Sequence, residues 1–184
     1  MGTIYEKMER TEKIADYLTD ALGLSGKKED IKKTVYLSKA DLVSNVIGEK
    51  EFTKLQGFMG EIYARHEGEK ESVAKGIFEH YLPRYQGDIL PVTIEGAVSG
   101  IADKIDTIVG CFSVGLIPTS SKDLYALRRA AQGIIRVCLS QNLDINYSEL
   151  IDKFLEIFKK KKKISGNETE ILSIKDFVLL IFSF

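Results

Sequence analysis

Apolar residues recur at intervals of three and four along almost the whole chain, the spacing of helices that bury one face. No stretch alternates apolar and polar residues for long enough to predict a sheet. The predicted helix at residues 94–109 is apolar on more than one side, so we expect it to be the central helix. The first five stripes consist of Ile4, Met8, Ile14, Leu18 and Leu22; Ile31, Val35, Leu42, Val46 and Ile47; Leu55, Phe58, Met59, Ile62 and Tyr63; Val73, Ala74, Ile77, Phe78 and Tyr81; and Ile94, Val98, Ile101, Ile105, Ile108 and Val109.

Glycine and proline mark the boundaries of these predicted helices. Gly23 and Gly48 follow the first two stripes, where glycine can adopt the left-handed conformation that ends a helix. Residues 84–91 predict a loop, and Pro91 suits the first turn of the helix that follows. These patterns together predict an all-α fold.

Three further helices are predicted after residue 118. Ser120 and Asp123 form a pattern typical of a capping box, so we expect a helix to begin there. Two more helices are expected at about 147–160 and 168–183. The chain starts directly before a helical pattern and ends in an uncapped apolar stretch, so we interpret it as a piece of a longer protein. The buried stripe of the helix after residue 120 is predicted to contain Leu124, Leu127, Ala131, Ile134, Ile135 and Cys138.

Composition places the chain among soluble globular proteins, since 44% of its 184 residues are hydrophobic and 29% are charged. The formal net charge of −1 means that nucleic-acid binding would need a local basic patch. Cys111 and Cys138 lie in apolar stretches and are expected to be buried free thiols. The start of the chain does not resemble a signal peptide, and no apolar run approaches the length of a membrane span, so we expect a cytoplasmic protein.

Few residues suggest catalysis. His66 and His80 are the only histidines, and each is expected near the end of a helix, where an imidazole interacts favourably with the helix dipole. The sequence contains no zinc-ligand spacing, no glycine-rich phosphate loop and no nucleophile motif. We therefore expect no catalytic residue, no metal ion and no cofactor in this chain.

Two carboxylates are of interest because they lie among apolar residues within predicted helices. An unpaired charge is costly to bury, so Asp41 and Asp103 need partners. They could be two ligands of a metal ion between packed helices. Alternatively they form ion pairs with residues such as Lys39, Lys104 or Arg10. The absence of histidines nearby in the sequence favours the ion pairs.

A basic stripe is predicted on the helix after residue 120. Arg129, Gln132 and Arg136 share one face at intervals of three and four, and Lys122 and Arg128 flank them. Arginine side chains and the free N–H groups at a helix start both suit phosphate oxygens. A solvated helix face explains the same spacing, and spacing alone favours that simpler interpretation.

Five segments resemble the beta subunit of the bacterial tetrameric glycyl-tRNA synthetase. Their order and the lengths between them make the resemblance specific, and it covers residues 3–145 well and the remainder loosely. The segments are LSKADLVS (37–44), QGFMGEIYARH (56–66), EHYLPRYQGD (79–88), IADKIDTIVG (101–110) and GLIPTSSKDLYALRRAA (115–131).

That family's region is similar to HD phosphohydrolases, helical bundles that bind a metal ion through histidine and aspartate. The resemblance places Arg10 near the first histidine, Ala40–Asp41 at the His–Asp pair and Asp103 at the distant aspartate. Both imidazoles are missing, which implies a degenerate site where Arg10 pairs with Asp41 or Asp103. It also implies an HD-like helical bundle at 1–145 and a helical connector at 146–184 toward an anticodon-binding domain outside this chain.

The resemblance further implies a part in glycine–tRNA ligation. In the α2β2 enzyme the alpha subunit uses ATP to activate glycine, and the beta subunit binds tRNA(Gly). We therefore expect a non-catalytic chain that helps to bind the acceptor side of tRNA. The expected contacts are the stripe of Lys122, Arg128, Arg129, Gln132 and Arg136, with Tyr63, Arg65 and His66 as a second point.

Three alternatives stay open at this point. Arg128 or Arg129 could instead form a buried pair with Asp103 or Asp106. The chain could retain metal-dependent phosphohydrolase activity. It could also be a purely structural domain that packs on the alpha subunit without touching RNA.

Overall fold

The computed structural model describes residues 2–44, 50–118, 123–160 and 175–176. Within these ranges the chain forms α-helices and short 3-10 turns and no strand, which confirms the all-α prediction. The 3-10 turns are Ser25–Lys27, Ala40–Val43 and Lys50–Leu55. The helices are α1 (Ile4–Ala21), α2 (Lys28–Leu37), α3 (Phe58–His66), α4 (Glu71–Glu79), α5 (Ile94–Ser113), α6 (Leu127–Gln141) and α7 (Tyr147–Lys160).

Helix α5 is the central element, as its apolar pattern predicted. It packs against α1, α2, α4, α6 and α7, so almost its whole circumference is covered. Ile101, Ile105 and Ile108 are fully buried on it, and each contributes about 1.5–3 kcal/mol relative to an exposed position. Cys111 and Cys138 are buried free thiols, as expected.

The side chain of Glu79 joins the end of α4 to the start of α5. Its carboxylate is buried and accepts hydrogen bonds from the N–H groups of Val92 and Thr93, at 3.1 and 2.8 Å. The hydroxyl of Thr93 in turn accepts from the N–H of Gly96 at 3.0 Å and so caps α5. These bonds fix the position of α5 relative to α4 and thereby place the residues discussed below.

The second predicted helix ends earlier than its apolar pattern suggested. Helix α2 stops at Leu37, and Asp41 lies in a 3-10 turn instead of a helix. The Asp41 carboxylate accepts the backbone N–H of Gly57 at 2.6 Å, a tertiary bond that spacing cannot predict. The remaining predicted positions of this helix, residues 46–48, lie outside the described residues.

Helix α6 begins at Leu127, later than the start predicted directly after Ser120. The carboxylate of Asp123 accepts hydrogen bonds from the N–H groups of Leu127 and Arg128, so it caps the helix from outside. Ala126 precedes the helix with a left-handed φ of 54°. Leu124 is consequently exposed and not buried as predicted. Residues 120 and 122 lie outside the described part of the chain.

Helix α7 spans the range predicted for it and packs against α1 and α5. Leu150, Ile151, Phe154 and Phe158 are buried in the same core as α5. Over 147–160 the expected connector is therefore packed on the bundle. Almost all of the helix predicted at 168–183 lies outside the described residues. No helix in the described ranges is long and apolar enough to cross a membrane.

Candidate functional site

Buried ionisable side chains meet where α1 crosses α5. Arg10 donates from Nε and Nη2 to the two carboxylate oxygens of Asp106, at 2.6 and 3.0 Å. Lys7 lies 3.1 Å from the carboxylate of Asp103 and 3.2 Å from that of Asp106. We call the group formed by Lys7, Arg10, Lys39, His80, Asp103 and Asp106 the ionic cluster.

Arg10 pairs with Asp106, and not with Asp41 or Asp103 as the resemblance suggested. Lys7 and Arg10 are three residues apart on α1, and the two aspartates are three residues apart on α5. Residues at this spacing share a helix face, so one turn of α1 meets one turn of α5 in register. The later residue of the pair on α1, Arg10, therefore meets the later residue of the pair on α5, Asp106.

The ammonium group of Lys39 lies at the centre of the ionic cluster. Its Nζ atom is 2.8 Å from Nε2 of His80, 3.4 Å from Oδ2 of Asp103 and 4.1 Å from the centre of the Tyr81 ring. Asp103 thus pairs with Lys39, one of the partners that the ion-pair interpretation named. Asp41 is different, since its Oδ1 atom has no hydrogen-bond partner among the described residues.

His80 follows α4 and is completely buried. Its Nδ1 lies 2.5 Å from the carbonyl oxygen of Ile77, and its Nε2 faces the Lys39 ammonium. Because an ammonium only donates, we assign the proton of the neutral ring to Nδ1. Burial and the charge of Lys39 hold the pKa of His80 well below its ordinary value. The helix-dipole interpretation missed this role, since a buried partner for a histidine leaves no mark in sequence spacing.

Electrostatic interactions within the cluster favour ionised Asp103. Burial opposes ionisation of this carboxyl, but the ammonium groups of Lys39 and Lys7 outweigh burial and hold its pKa far below the ordinary range. For Lys39 the balance is reversed, because burial outweighs the attraction of Asp103 and lowers the pKa of the ammonium.

The neutral state of His80 predicts a specific dependence of stability on pH. An unfolded histidine titrates near pH 6.5 while folded His80 stays neutral, so the unfolded chain binds more protons as pH falls. This contribution is fully present above pH 6.5 and should fall by about 1.5 kcal/mol between pH 6.5 and 5. His80→Gln, whose amide oxygen can accept from Lys39, should lose the dependence. Urea denaturation at each pH measures the free energy of unfolding.

The matched control is His66→Gln, because the His66 side chain is 86% exposed on α3. This variant should keep the wild-type dependence on pH. Carboxylates contribute little in the chosen window, since their ordinary pKa values lie near 4. An unchanged pH dependence in His80→Gln would show that the buried imidazole is not held neutral.

The ionic cluster does not fit a metal ion. The resemblance to HD phosphohydrolases would place one among Arg10, Asp41 and Asp103. Here the ammonium groups of Lys7 and Lys39 lie within 3.4 Å of the Asp103 carboxylate, and Arg10 adds a third positive charge. A divalent ion needs free carboxylate or imidazole lone pairs. Among the described residues no three His, Cys, Asp or Glu side chains are arranged to hold a metal ion.

A second candidate site is a shallow cleft between α6 and the loop after α4, with a cavity volume of about 170 Å³. Its cationic lining residues are Arg84, Lys104, Arg129 and Arg136. No carboxylate is found among the described residues that line it. We call this site the basic cleft. Its other polar side chains are those of Tyr85, Gln86, Tyr125 and Gln132.

Backbone carbonyl groups hold two of the cationic groups in the basic cleft. Lys104 donates to the carbonyl oxygens of His80 and Leu82, at 3.1 and 2.8 Å. Arg136 donates to the carbonyl oxygen of Asp88 at 3.0 Å. A carbonyl fixes the position of a cation without cancelling its charge, unlike a carboxylate. Burial outweighs the nearby aspartate and lowers the pKa of Lys104 to about 8, so it remains largely protonated at neutral pH.

Arg84 is held in the same way. It donates from Nη2 to the carbonyl oxygen of Gln56 at 3.0 Å. Its guanidinium carbon also lies 5.3 Å from the centre of the Phe78 ring and 5.6 Å from that of Tyr81, within the range of cation–π attraction. Arg84 was not predicted, and Lys104 was named only as a possible partner of the buried aspartates, because both lie on other elements than the predicted stripe.

The structure brings part of the predicted stripe together. Arg129, Gln132 and Arg136 all line the basic cleft, whereas Arg128 does not. Arg128 and Arg129 are exposed on α6, so neither forms a buried pair with an aspartate of α5. Lys122 lies outside the described residues.

The second predicted contact point lies on α3 and does not line the cleft. Tyr63, Arg65 and His66 are all exposed there. The guanidinium of Arg65 is paired with the carboxylates of Glu61 and Glu71, so its charge is already compensated. A contact of these residues with RNA stays a prediction.

The chain is similar to known proteins of one family. The chain matches the family model of the glycyl-tRNA synthetase beta subunit over residues 1–180. It is similar to the glycine–tRNA ligase beta subunits of Halalkalibacterium halodurans (41% identity over 182 residues), Clostridioides difficile (46% over 160) and Trichlorobacter lovleyi (48% over 161). These alignments cover 98%, 87% and 88% of this chain but 26%, 23% and 23% of the relatives. The chain therefore spans about a quarter of their length.

Proposed function

Since the chain belongs to the glycyl-tRNA synthetase beta subunit family, we propose that it is a tRNA-binding, non-catalytic part of a glycine–tRNA ligase. In this proposal the alpha subunit uses ATP to form glycyl-tRNA within an α2β2 assembly in the cytoplasm. This chain binds the acceptor side of tRNA(Gly) and supports the assembly.

The observation that carries the proposal is the group of four cations that line the basic cleft without a carboxylate beside them in the described lining. Lys104 and Arg136 are positioned by carbonyl oxygens, and the lining described above contains no acid. Several exposed cations outside the cleft are paired with carboxylates, as Lys33 is with Glu69 at 2.9 Å. A chain of net charge −1 thus presents one concave surface with fixed positive charges, which suits RNA phosphates.

The ionic cluster supports the non-catalytic part of the proposal. Positive side chains surround Asp103, so a metal-dependent hydrolase would first have to displace them. A purely structural role on the alpha subunit is the remaining alternative. It predicts that tRNA does not bind to this chain alone.

The double substitution Arg129→Glu and Arg136→Glu tests the proposal. We expect the affinity of the 184-residue chain for tRNA(Gly) to fall at least about tenfold at low salt, since two attractive charges become repulsive. The slope of log affinity against log salt should decrease by about one unit for each phosphate that the variant no longer neutralises. Fluorescence anisotropy with labelled tRNA across a salt series measures both.

Lys33→Glu combined with Lys70→Glu is the matched control. Both lysines are exposed and outside the cleft, and their reversal changes the net charge by the same amount. This variant should bind tRNA much more tightly than the cleft variant does. Equal decreases in affinity in the two variants, or no change in affinity and slope in the cleft variant, would contradict the assignment of the basic cleft.

A further inference from the structure

We propose that the basic cleft binds a single-stranded segment of RNA, with an unpaired base stacked on Tyr85 or Tyr125 and the adjoining phosphate held by the cationic side chains. This inference rests on the tRNA-binding role proposed above. It names the state of the RNA that enters the cleft.

Part of the lining of the cleft is apolar, which a site for phosphate alone would not need. Pro83, Ala130 and Gly133 form part of the lining. A Cβ atom on Gly133 would lie 3.3 Å from Cγ of Pro83 and 3.7 Å from Cε of Lys104, so the glycine lets α6 lie close to both residues. Apolar atoms complement the face of a base and offer nothing to a phosphate oxygen.

Two exposed aromatic rings also line the cleft. Tyr85 on the loop after α4 is 60% exposed, and Tyr125 just before α6 is 49% exposed. Exposed rings beside cationic groups are typical of sites that stack unpaired bases. Stacking of this kind typically changes affinity by about 5- to 140-fold for each base.

The amide side chains in the cleft also suit a base better than a phosphate. Gln86 and Gln132 each carry both a donor and an acceptor. Phosphate oxygens only accept, whereas the edge of a base both donates and accepts. Together with Arg129 and Arg136, the cleft thus offers partners for both parts of one nucleotide.

The size of the cleft argues against a free nucleoside triphosphate, and base stacking argues against a duplex. Its volume of about 170 Å³ is smaller than the roughly 300–1,000 Å³ typical of pockets that enclose a small molecule. One nucleotide whose neighbours remain outside fits this volume better than a free nucleoside triphosphate does. In a duplex the faces of the bases are stacked on one another and cannot reach the tyrosine rings.

The test uses the 184-residue chain with Tyr85→Leu and Tyr125→Leu together. The probes are a labelled single-stranded RNA of about eight nucleotides and the duplex that it forms with its complement. We expect the variant to bind the single strand at least about tenfold more weakly than the wild type does, with little change for the duplex. Tyr5→Leu with Tyr36→Leu is the matched control, because both tyrosines are exposed outside the cleft. Its affinity for the single strand should be that of the wild type.

Different failures separate the two proposals. If a folded wild-type chain shows no salt-sensitive binding of tRNA, both fail. If tRNA binds but the cleft tyrosines change single strand and duplex equally, or neither, the stacking inference alone is overturned. Competition by ATP as strong as that by the single strand would overturn it too. Thermal unfolding of each variant verifies that it is folded.

Discussion

Asp106→Asn should lower the free energy of unfolding by about 3–5 kcal/mol, because it leaves a buried guanidinium without its counter-charge. Arg10 and Asp106 are 1% and 3% exposed, and both carboxylate oxygens accept from Arg10. Lys7 also loses a partner at 3.2 Å but retains Asp103. Asparagine has nearly the shape of aspartate, so the destabilisation reports charge and not a cavity. Urea denaturation near pH 7 measures it.

The double substitution Arg10→Met and Asp106→Leu tests the reason for that destabilisation. Replacing a buried ion pair by apolar groups of similar size is often neutral or stabilising. The guanidinium of Arg10 lies 4.8 Å from the centre of the Phe158 ring, so a methionine there has an apolar neighbour. We expect the double variant to be more stable than Asp106→Asn.

Asp20→Asn supplies the exposed counterpart. Asp20 pairs with Lys28 at 2.9 Å, but its side chain is 62% exposed, so the decrease in stability should stay below about 1 kcal/mol. If Asp106→Asn cost no more than Asp20→Asn, the bidentate pair with Arg10 would not stabilise the junction of α1 and α5.

Gly100→Ala is expected to destabilise the protein by about 2–3 kcal/mol, although alanine is ordinarily the better residue in a helix. A Cβ atom at this position of α5 would lie 2.8 Å from the carbonyl oxygen of His80 and 3.3 Å from its Cα. Those are backbone atoms, so no side-chain rotation relieves the clash. The same carbonyl accepts from Lys104, so the ammonium group of Lys104 in the basic cleft should shift as well. Chemical denaturation gives the change in stability.

Gly26→Ala is the matched control for this prediction. Gly26 lies in the 3-10 turn before α2, and an added Cβ would meet nothing within 4 Å. Its effect should be within about 0.5 kcal/mol of zero, as for other open surface positions. Similar effects of the two alanine substitutions would show that the close approach of α4 and α5 is not tight.

Sequence periodicity predicted α1, α5 and α7 well, because each buries a continuous stripe and apolar spacing reports burial directly. It failed at the end of α2 and the start of α6. At those two places single side chains fix the backbone, because Asp41 accepts from the N–H of Gly57 and Asp123 accepts from that of Leu127. The first bond is a tertiary contact and the second caps the helix where it actually begins, so neither leaves a periodic signal in the sequence.

The partners within the ionic cluster were harder to predict than its members. Asp103 was expected to pair with a basic residue and does so with Lys39, but the pair of Arg10 with Asp106 and the contact of Lys39 with His80 were not foreseen. The crossing of α1 over α5 decides these pairs, and spacing along one helix contains no information about it. Only part of the basic cleft could be predicted from the sequence, because α6 supplies some of its lining residues and other elements supply the rest.

The position of α7 affects how this protein can be divided for experiments. Phe154 and Phe158 lie in the bundle interior, and the ring of Phe158 covers the guanidinium of Arg10. A version shortened to end before residue 147 would expose a hydrophobic groove to water and raise the polarity around the buried Arg10 guanidinium. Shorter variants made for crystallisation with RNA should therefore keep this helix, or aggregation will be mistaken for a failure to bind.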